Sequence, residues 1–194
     1  MKLHRKIILF FAALMAVFAF FAVLKPAAIS VYSSLAEGER KLPIYCVDTD
    51  EKKIAISFDA AWGADDTDEL LRILEENDVK TTFFMCGYWV EDYPEEVKKI
   101  AEAGHDLGNH SSTHPHMSQL SKEQIKQELM ETEEKVKSLT GVDMDLFRPP
   151  FGEYNNNVIE AAEECGYYTV QWDVDSLDWK EYGVESEINQ VLNH

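Results

Sequence analysis

The chain reads as an α/β protein in which parallel strands are joined by crossover helices. Three observations lead there. Short runs rich in β-formers alternate about five times with stretches of helical spacing, and parallel neighbours need such a helix between them. Four of the apolar runs end in polar constellations, which is where an α/β barrel carries its active site. A separate, uncharged apolar run fills residues 7–24, ahead of everything else. The period alone does not separate a barrel from an open doubly wound sheet.

Taken in order, residues 7–24 follow Lys2, Arg5 and Lys6 and are closed by Lys25-Pro26. The run is at the lower edge of a spanning length and longer than most signal-peptide cores. Its positive flank stays inside and sends the rest out. Residues 1–25 are therefore expected to form one N-terminal transmembrane helix, a signal anchor. That places the protein on the cell membrane, single-pass, with an extracellular catalytic domain; secretion after signal-peptide cleavage is the alternative. Residues 26–43 mix small, polar and charged side chains and read as a linker, and the domain is expected over 44–194.

Within it, residues 54–58 are the first strand, and 66–76 have helical spacing through Leu70, Leu71 and Leu74. Residues 81–85 form the second strand, ended by Gly87. A helix over 94–103 stops at Gly104, a C-cap signal. A short third strand covers 105–109. Ser121 opens a long helix to 139, closed by Gly141. Strand four is 145–148, a helix covers 155–165 up to Gly166, and strand five is 167–172. Residues 185–192 begin a further helix. A barrel needs at least one more strand to close, so the fold is expected to be incomplete at the C-terminus.

Charge narrows the partners. The chain has 36 acidic and 18 basic residues, a net charge of −18, and every acidic residue lies beyond Pro26. Such a surface repels nucleic acid and anionic lipid headgroups. Nothing in the sequence points to a protein partner. The three cysteines, Cys46, Cys86 and Cys165, are odd in number and lack metal-type spacing, so no disulfide framework is implied.

The stretch Gly108-Asn109-His110-Ser111-Ser112-Thr113-His114 carries the most chemistry. A helical turn at that spacing would set both imidazoles on one side, a common way to hold a divalent metal. Upstream stands Ser57-Phe58-Asp59. Downstream stand Arg148-Pro149-Pro150-Phe151-Gly152 and Trp172-Asp173-Val174-Asp175-Ser176-Leu177-Asp178-Trp179.

Together these motifs resemble the polysaccharide deacetylase family, the NodB-homology group of carbohydrate esterases (group 4), over roughly residues 42–194. Ser57-Phe58-Asp59-Ala60-Ala61-Trp62-Gly63 resembles the first family motif in part. His110 to His114 matches the second, Arg148-Pro149-Pro150-Phe151 the third and Asp175 to Trp179 the fourth. The resemblance implies a distorted (β/α) barrel and metal-dependent removal of acetyl groups from an N-acetylated polysaccharide. The substrate implied is peptidoglycan or a related bacterial wall glycan, with chitin fragments and acetyl-xylan less favoured.

It also implies roles. His110 and His114 are two ligands of a divalent metal, expected to be Zn²⁺, which lowers the pKa of bound water and polarises the carbonyl. Asp59 is the general base, held ionised and oriented by Arg148. Pro149 and Pro150 fix the backbone so that the Phe151 amide can face the oxyanion. Phe151 and Trp179 contact substrate, and Asp175 orients an acid histidine. Trp62 and Trp89 are either groove walls or core, and His116 is assigned to the rim or to structure.

Two departures stand out. The metal-binding Asp expected after Asp59 is Ala60, so Asp65 or Asp66 is a candidate replacement ligand, although Asp66 also suits a helix N-cap. Leu192-Asn193-His194 spells the fifth motif in a polar context that does not suit a buried strand end. A catalytically weak or inactive glycan-binding relative is therefore the alternative reading.

Overall fold

In a computed structural model of the chain, the described residues are 39–193. The expected membrane helix of residues 1–25, most of the linker and His194 lie outside them. Among the described residues no helix is long and apolar enough to cross a membrane.

Five parallel strands run in the order β1-β2-β3-β4-β5: β1 Ser57–Ala60, β2 Thr82–Met85, β3 Asp106–Asn109, β4 Leu146–Phe147 and β5 Tyr168–Thr169. Between them come α1 Thr67–Glu76, α2 Gly87–Asp92, α3 Pro94–Glu102, α4 Lys122–Thr140 and α5 Asn156–Glu164, with α6 Val184–Leu192 last. Strand order that follows chain order is that of a singly wound sheet. Right-handed crossovers then put the helices on one face, as in the wall of a barrel. A doubly wound sheet would reverse its order partway. Beyond β5, Ile44 adds a parallel bridge to Val170, with Ile44 N–H donating to Thr169 O and Gln171 N–H to Ile44 O, both 2.8 Å. Among the described residues the wall stays open, because β1 pairs only with β2. The expected distorted, incomplete barrel is thus, among the described residues, an open five-stranded parallel sheet.

The helix ends follow local chemistry. Ser121 caps α4 with a reciprocal capping box to Gln124, and Gly141 ends it in the left-handed region at φ 75°. Asn155 caps α5 by accepting from Val158 N–H at 3.0 Å. Asp66 occupies the N-cap position of α1, yet its side chain makes no capping bond.

Three expectations need correction. Strand β1 lies about three residues later than the apolar run 54–58 suggested, because its register with β2 pairs Asp59 with Phe84 and Ala60 with Met85. Ile54 is 89% exposed and outside the ladder. Gly87 does end β2, but it also starts a short helix that the apolar pattern concealed. It sits there because a Cβ would meet Thr132 Oγ1 at 2.9 Å and Ser112 Cα at 3.0 Å. The linker ends earlier than residue 43: Lys41 N–H donates to Asn156 Oδ1 at 3.0 Å, its Nζ pairs with Glu163 at 2.6 Å, and Pro43 is buried.

The sheet has two different faces. Phe83, Met85, Leu107 and Phe147 belong to the core beneath the helices, with Ile125, Leu129 and Val136 of α4 and Val158 of α5, and Phe58 packs against it. The alternate residues Asp59, Phe84 and Gly108 align across β1–β3 on the opposite face. Phe84 is 1% exposed there, with the Arg148 guanidinium 4.1 Å above its ring. Gly108 makes room for it, since a Cβ at that position would lie 2.5 Å from Phe84 Cδ1. Gly108→Ala is expected to push Phe84 off its position and destabilise the fold by about 1–3 kcal/mol, the usual cost of overpacking. Urea denaturation reads this directly; an unchanged midpoint would show that the ring has room to move.

Candidate active site

Continuing the strand alternation by one residue carries His110, Arg148 and Cys86 onto the Asp59 face. Arg148 is the hub. It is 5% exposed; its Nη1 donates to Asp59 Oδ1 and its Nη2 to Ser57 Oγ, both at 2.7 Å. Its guanidinium is stacked on Phe84, and the Trp172 ring lies 5.7 Å away. Its carbonyl bonds His110 Nδ1 at 2.6 Å. With Nδ1 engaged by a carbonyl, Nε2 carries the free lone pair, and it stands 3.8 Å from Asp59 Oδ2.

The His110–His114 pair is together, but not on a helix. Ser111 and His114 have φ of 68° and 55°, in the left-handed region, and no helix covers residues 110–116. The rings meet because the loop is tied down. Asn109 Oδ1 accepts from Ser111 N–H at 2.9 Å, and Ser111 Oγ accepts from His114 N–H at 3.0 Å. Glu128 of α4 accepts from Ser112 N–H at 2.9 Å, from Thr113 N–H at 2.8 Å and from the Thr113 hydroxyl at 2.9 Å. The ring centroids end 5.0 Å apart. Asn109 is in turn fixed by donating to Leu129 O at 2.8 Å and to the Tyr167 hydroxyl at 3.0 Å.

Both imidazoles are held neutral. Burial pushes the pKa of His110 down, against the pull of Asp59. Burial, helped by the nearby His110, lowers that of His114 to about 4. Neutral imidazoles are what a divalent metal requires, and a backbone carbonyl on the far nitrogen is the usual support for a ligating ring.

The other expected residues scatter. Phe151, at φ 59°, packs its ring edgewise on His114 at 4.6 Å and stacks on His116 at 4.5 Å, so it does border the histidine pair. His116 pairs with Glu153 at 3.0 Å. Trp179 is 62% exposed, with Lys180 Nζ 4.9 Å from its ring. Trp62 is the exposed indole beside the site, 5.7 Å from His114, whereas Trp89 is core and donates its Nε1–H to Gly63 O at 2.6 Å. Asp175 accepts from Leu177 N–H at 2.9 Å, closing its own turn. Asp65 and Asp66 are exposed and do not reach the histidines. Among the described residues the three-donor group is Cys86, His110 and His114, whose ligating atoms lie within 4.8 Å of one another. Cys86 and Glu128 are the residues that sequence reasoning missed, and Trp172, which opens the stretch that ends at Trp179, had been given no role. Only Cys86 had a signal, its place directly after β2, where its N–H donates to Ala60 O at 3.0 Å.

Residues 47–170 match the family described as Polysaccharide deacetylase. An uncharacterized protein of Bacillus subtilis, YlxY, is 40% identical over 138 residues, 71% of this chain and 43% of that protein. A peptidoglycan-N-acetylglucosamine deacetylase of Bacillus cereus is 34% identical over 142 residues, 73% of this chain and 52% of its own length. The chain thus spans about half the length of the curated relatives it matches. Among solved structures, a CE4 family pseudoenzyme of Bacillus anthracis superposes with a TM-score of 0.76 at 33% identity, over 78% of this chain and 54% of that one. A mutant of that protein has restored enzymatic activity.

The neutral His114 carries a pH signature. The unfolded chain takes up its proton near pH 6.5, and the folded chain only near pH 4. The histidine's contribution is therefore complete above 6.5 and is lost as pH falls from 6.5 towards 4. Urea denaturation across that window should show a shallower pH slope for His114→Asn than for wild type. Parallel curves would mean that the ring is not held neutral.

Proposed function

The chain belongs to the polysaccharide deacetylase family, and from that premise we propose that it removes acetyl groups from the N-acetylated glycan of a bacterial cell wall with the help of a divalent metal. The observation that carries this reading is the convergence of a carboxylate, a guanidinium and two neutral imidazoles on one sheet face. The donor chemistry fits a metal of the zinc type: His110 offers Nε2 while its Nδ1 is anchored, and His114 is neutral at any pH near 7. His110 and His114 would hold the ion, which supplies a water acidified to near-neutral pKa and polarisation of the substrate carbonyl.

The chain's own residues divide the remaining work. Asp59 Oδ1 is committed to Arg148, which leaves Oδ2 on the side of His110 to take the proton of the attacking water. Arg148, itself clamped by Ser57 and Phe84, fixes the direction of that carboxylate. Trp62 and Phe151, both largely exposed beside His114, offer apolar faces against which a sugar ring or acetyl methyl can lie. The Phe151 amide, on a turn fixed by Pro149 and Pro150, is the proposed oxyanion contact. The apolar run 7–24 behind a basic flank supports a membrane-anchored domain facing the wall.

A second reading has its own observation. Ala60 packs against the helix-side core and offers no donor, and the fold resembles a pseudoenzyme as closely as it does. On this reading the domain binds glycan and turns it over weakly or not at all.

Acetate release by the full chain, supplied with zinc or cobalt, separates the two. An N-acetylglucosamine oligomer and peptidoglycan are the substrates. Chelator-sensitive release is expected. Asp59→Asn should retain the metal and lose about 10²–10⁴-fold in turnover, the usual worth of a general base. Undiminished release from Asp59→Asn would remove Asp59 from that role. Bound metal with no acetate would favour the glycan-binding reading.

A further inference from the structure

We propose that Cys86 is the third protein ligand of the metal held by His110 and His114, giving a mixed thiolate–imidazole site. The inference rests on the metal-binding reading above and adds the donor that reading leaves open. Cys86 is fully buried, directly after β2, and its backbone N–H donates to Ala60 O at 3.0 Å. Its backbone is thereby tied to β1 at the residue after Asp59, where the side chain is a methyl with nothing to donate. The thiol points back at the histidine loop, donating to His110 O at 3.4 Å. Its Sγ and one nitrogen from each of His110 and His114 lie within 4.8 Å of one another; among the described residues no carboxylate lies that close to all three, although Asp59 Oδ2 stands 3.8 Å from His110 Nε2. Tetrahedral zinc with bonds of about 2.0–2.3 Å draws such atoms to within about 3.5 Å. The group closes on an ion by a shift of about an ångström.

The chemistry balances. Binding replaces the S–H bond of Cys86 by a sulfur–metal bond and releases one proton to solvent. Two neutral imidazoles and one thiolate leave a divalent ion with a net charge of +1 and a position open to water, the pattern of catalytic rather than structural zinc. A thiolate also sets selectivity. It favours zinc and cobalt over magnesium, calcium and manganese, which an all-oxygen third ligand would not do to the same degree. Burial of the thiol is no obstacle, because a coordinating thiol is deprotonated by the ion itself.

The test uses the full chain loaded with cobalt, read by absorption spectroscopy and by titration of metal affinity. Cys46→Ser and Cys165→Ser are introduced first, so that Cys86 is the one remaining thiol. One cobalt per chain with a thiolate-to-cobalt charge-transfer band in the near ultraviolet is expected. Cys86→Ser, of similar size, should abolish that band and weaken zinc binding by about 100-fold or more, beyond the 10–100-fold typical of supporting residues. Its thermal unfolding without metal, compared with that of the parent, measures the cost of the buried hydroxyl, and beyond that cost the stabilisation by added zinc should shrink with the affinity. Cobalt bound in a His110-dependent manner without the band, and unchanged in Cys86→Ser, would overturn the thiolate ligand while leaving the two-histidine site standing. No cobalt bound at all would overturn both.

Discussion

Arg148 is the residue on which the arrangement of the site depends. A guanidinium that is 5% exposed needs partners from within; here Asp59 and Ser57 on β1 accept from Nη1 and Nη2 and the face of Phe84 on β2 lies against it, while Nε is left without a hydrogen-bond partner among the described residues. The same residue's carbonyl sets the tautomer of His110. One side chain and one backbone oxygen thus couple β1, β2, β4 and the histidine loop. The proposed base and a proposed ligand are oriented by the same residue. Phe84 is the floor of this assembly, and Gly108 is the space that lets the floor lie flat.

The histidine loop shows a different constraint. Two consecutive elements of regular structure would have placed His110 and His114 cheaply, but the chain uses left-handed backbone at Ser111 and His114 instead. Such conformations cost energy for non-glycine residues and persist where surrounding bonds over-determine them. Here Asn109, Ser111 and Glu128 supply those bonds, and Glu128 reaches in from α4. The long helix therefore covers the core on one face and, through one carboxylate, sets the geometry of the site at the end of the sheet. The buried chain from Asn109 through the Tyr167 hydroxyl to Glu133 ties the same loop to β5 and α4.

Much of the frame was legible because local signals were strong. The α4 boundaries follow from Ser121 with Gln124 at one end and Gly141 at the other, and Pro94 and Gly104 bracket α3 in the same way. The closeness of His110 and His114 was expected from their spacing and the pairing of Asp59 with Arg148 from the family resemblance, and the structure has both pairs together, Arg148 Nη1 2.7 Å from Asp59 Oδ1 and the imidazole centroids 5.0 Å apart. Less was legible where a residue's surroundings come from distant segments. Ile54 to Phe58 is as strand-like as any run in the chain, yet the ladder starts at Ser57, because register with β2 and not propensity selects the paired residues. Trp62, Trp89, Trp172 and Trp179 are chemically alike in a sequence. Their positions as exposed wall, core, Arg148 neighbour and surface residue depend on packing.

The sequence by itself determined the class of fold and the order of elements, because periodicity and caps are encoded within a few positions of one another, and its motifs named Asp59, His110, His114 and Arg148 as candidates for the chemistry. Tertiary structure alone decided the singly wound order, the left-handed histidine loop, the separation of Asp65 and Asp66 from the site and the arrival of Cys86 beside His110 and His114. Cys86 is 24 residues from His110. No local pattern links them; they meet because β2 and β3 are parallel neighbours whose ends fall level, with Met85 opposite Asn109. Strand register converts remote positions in the chain into adjacent donors on one face, and that information exists only once the sheet has formed.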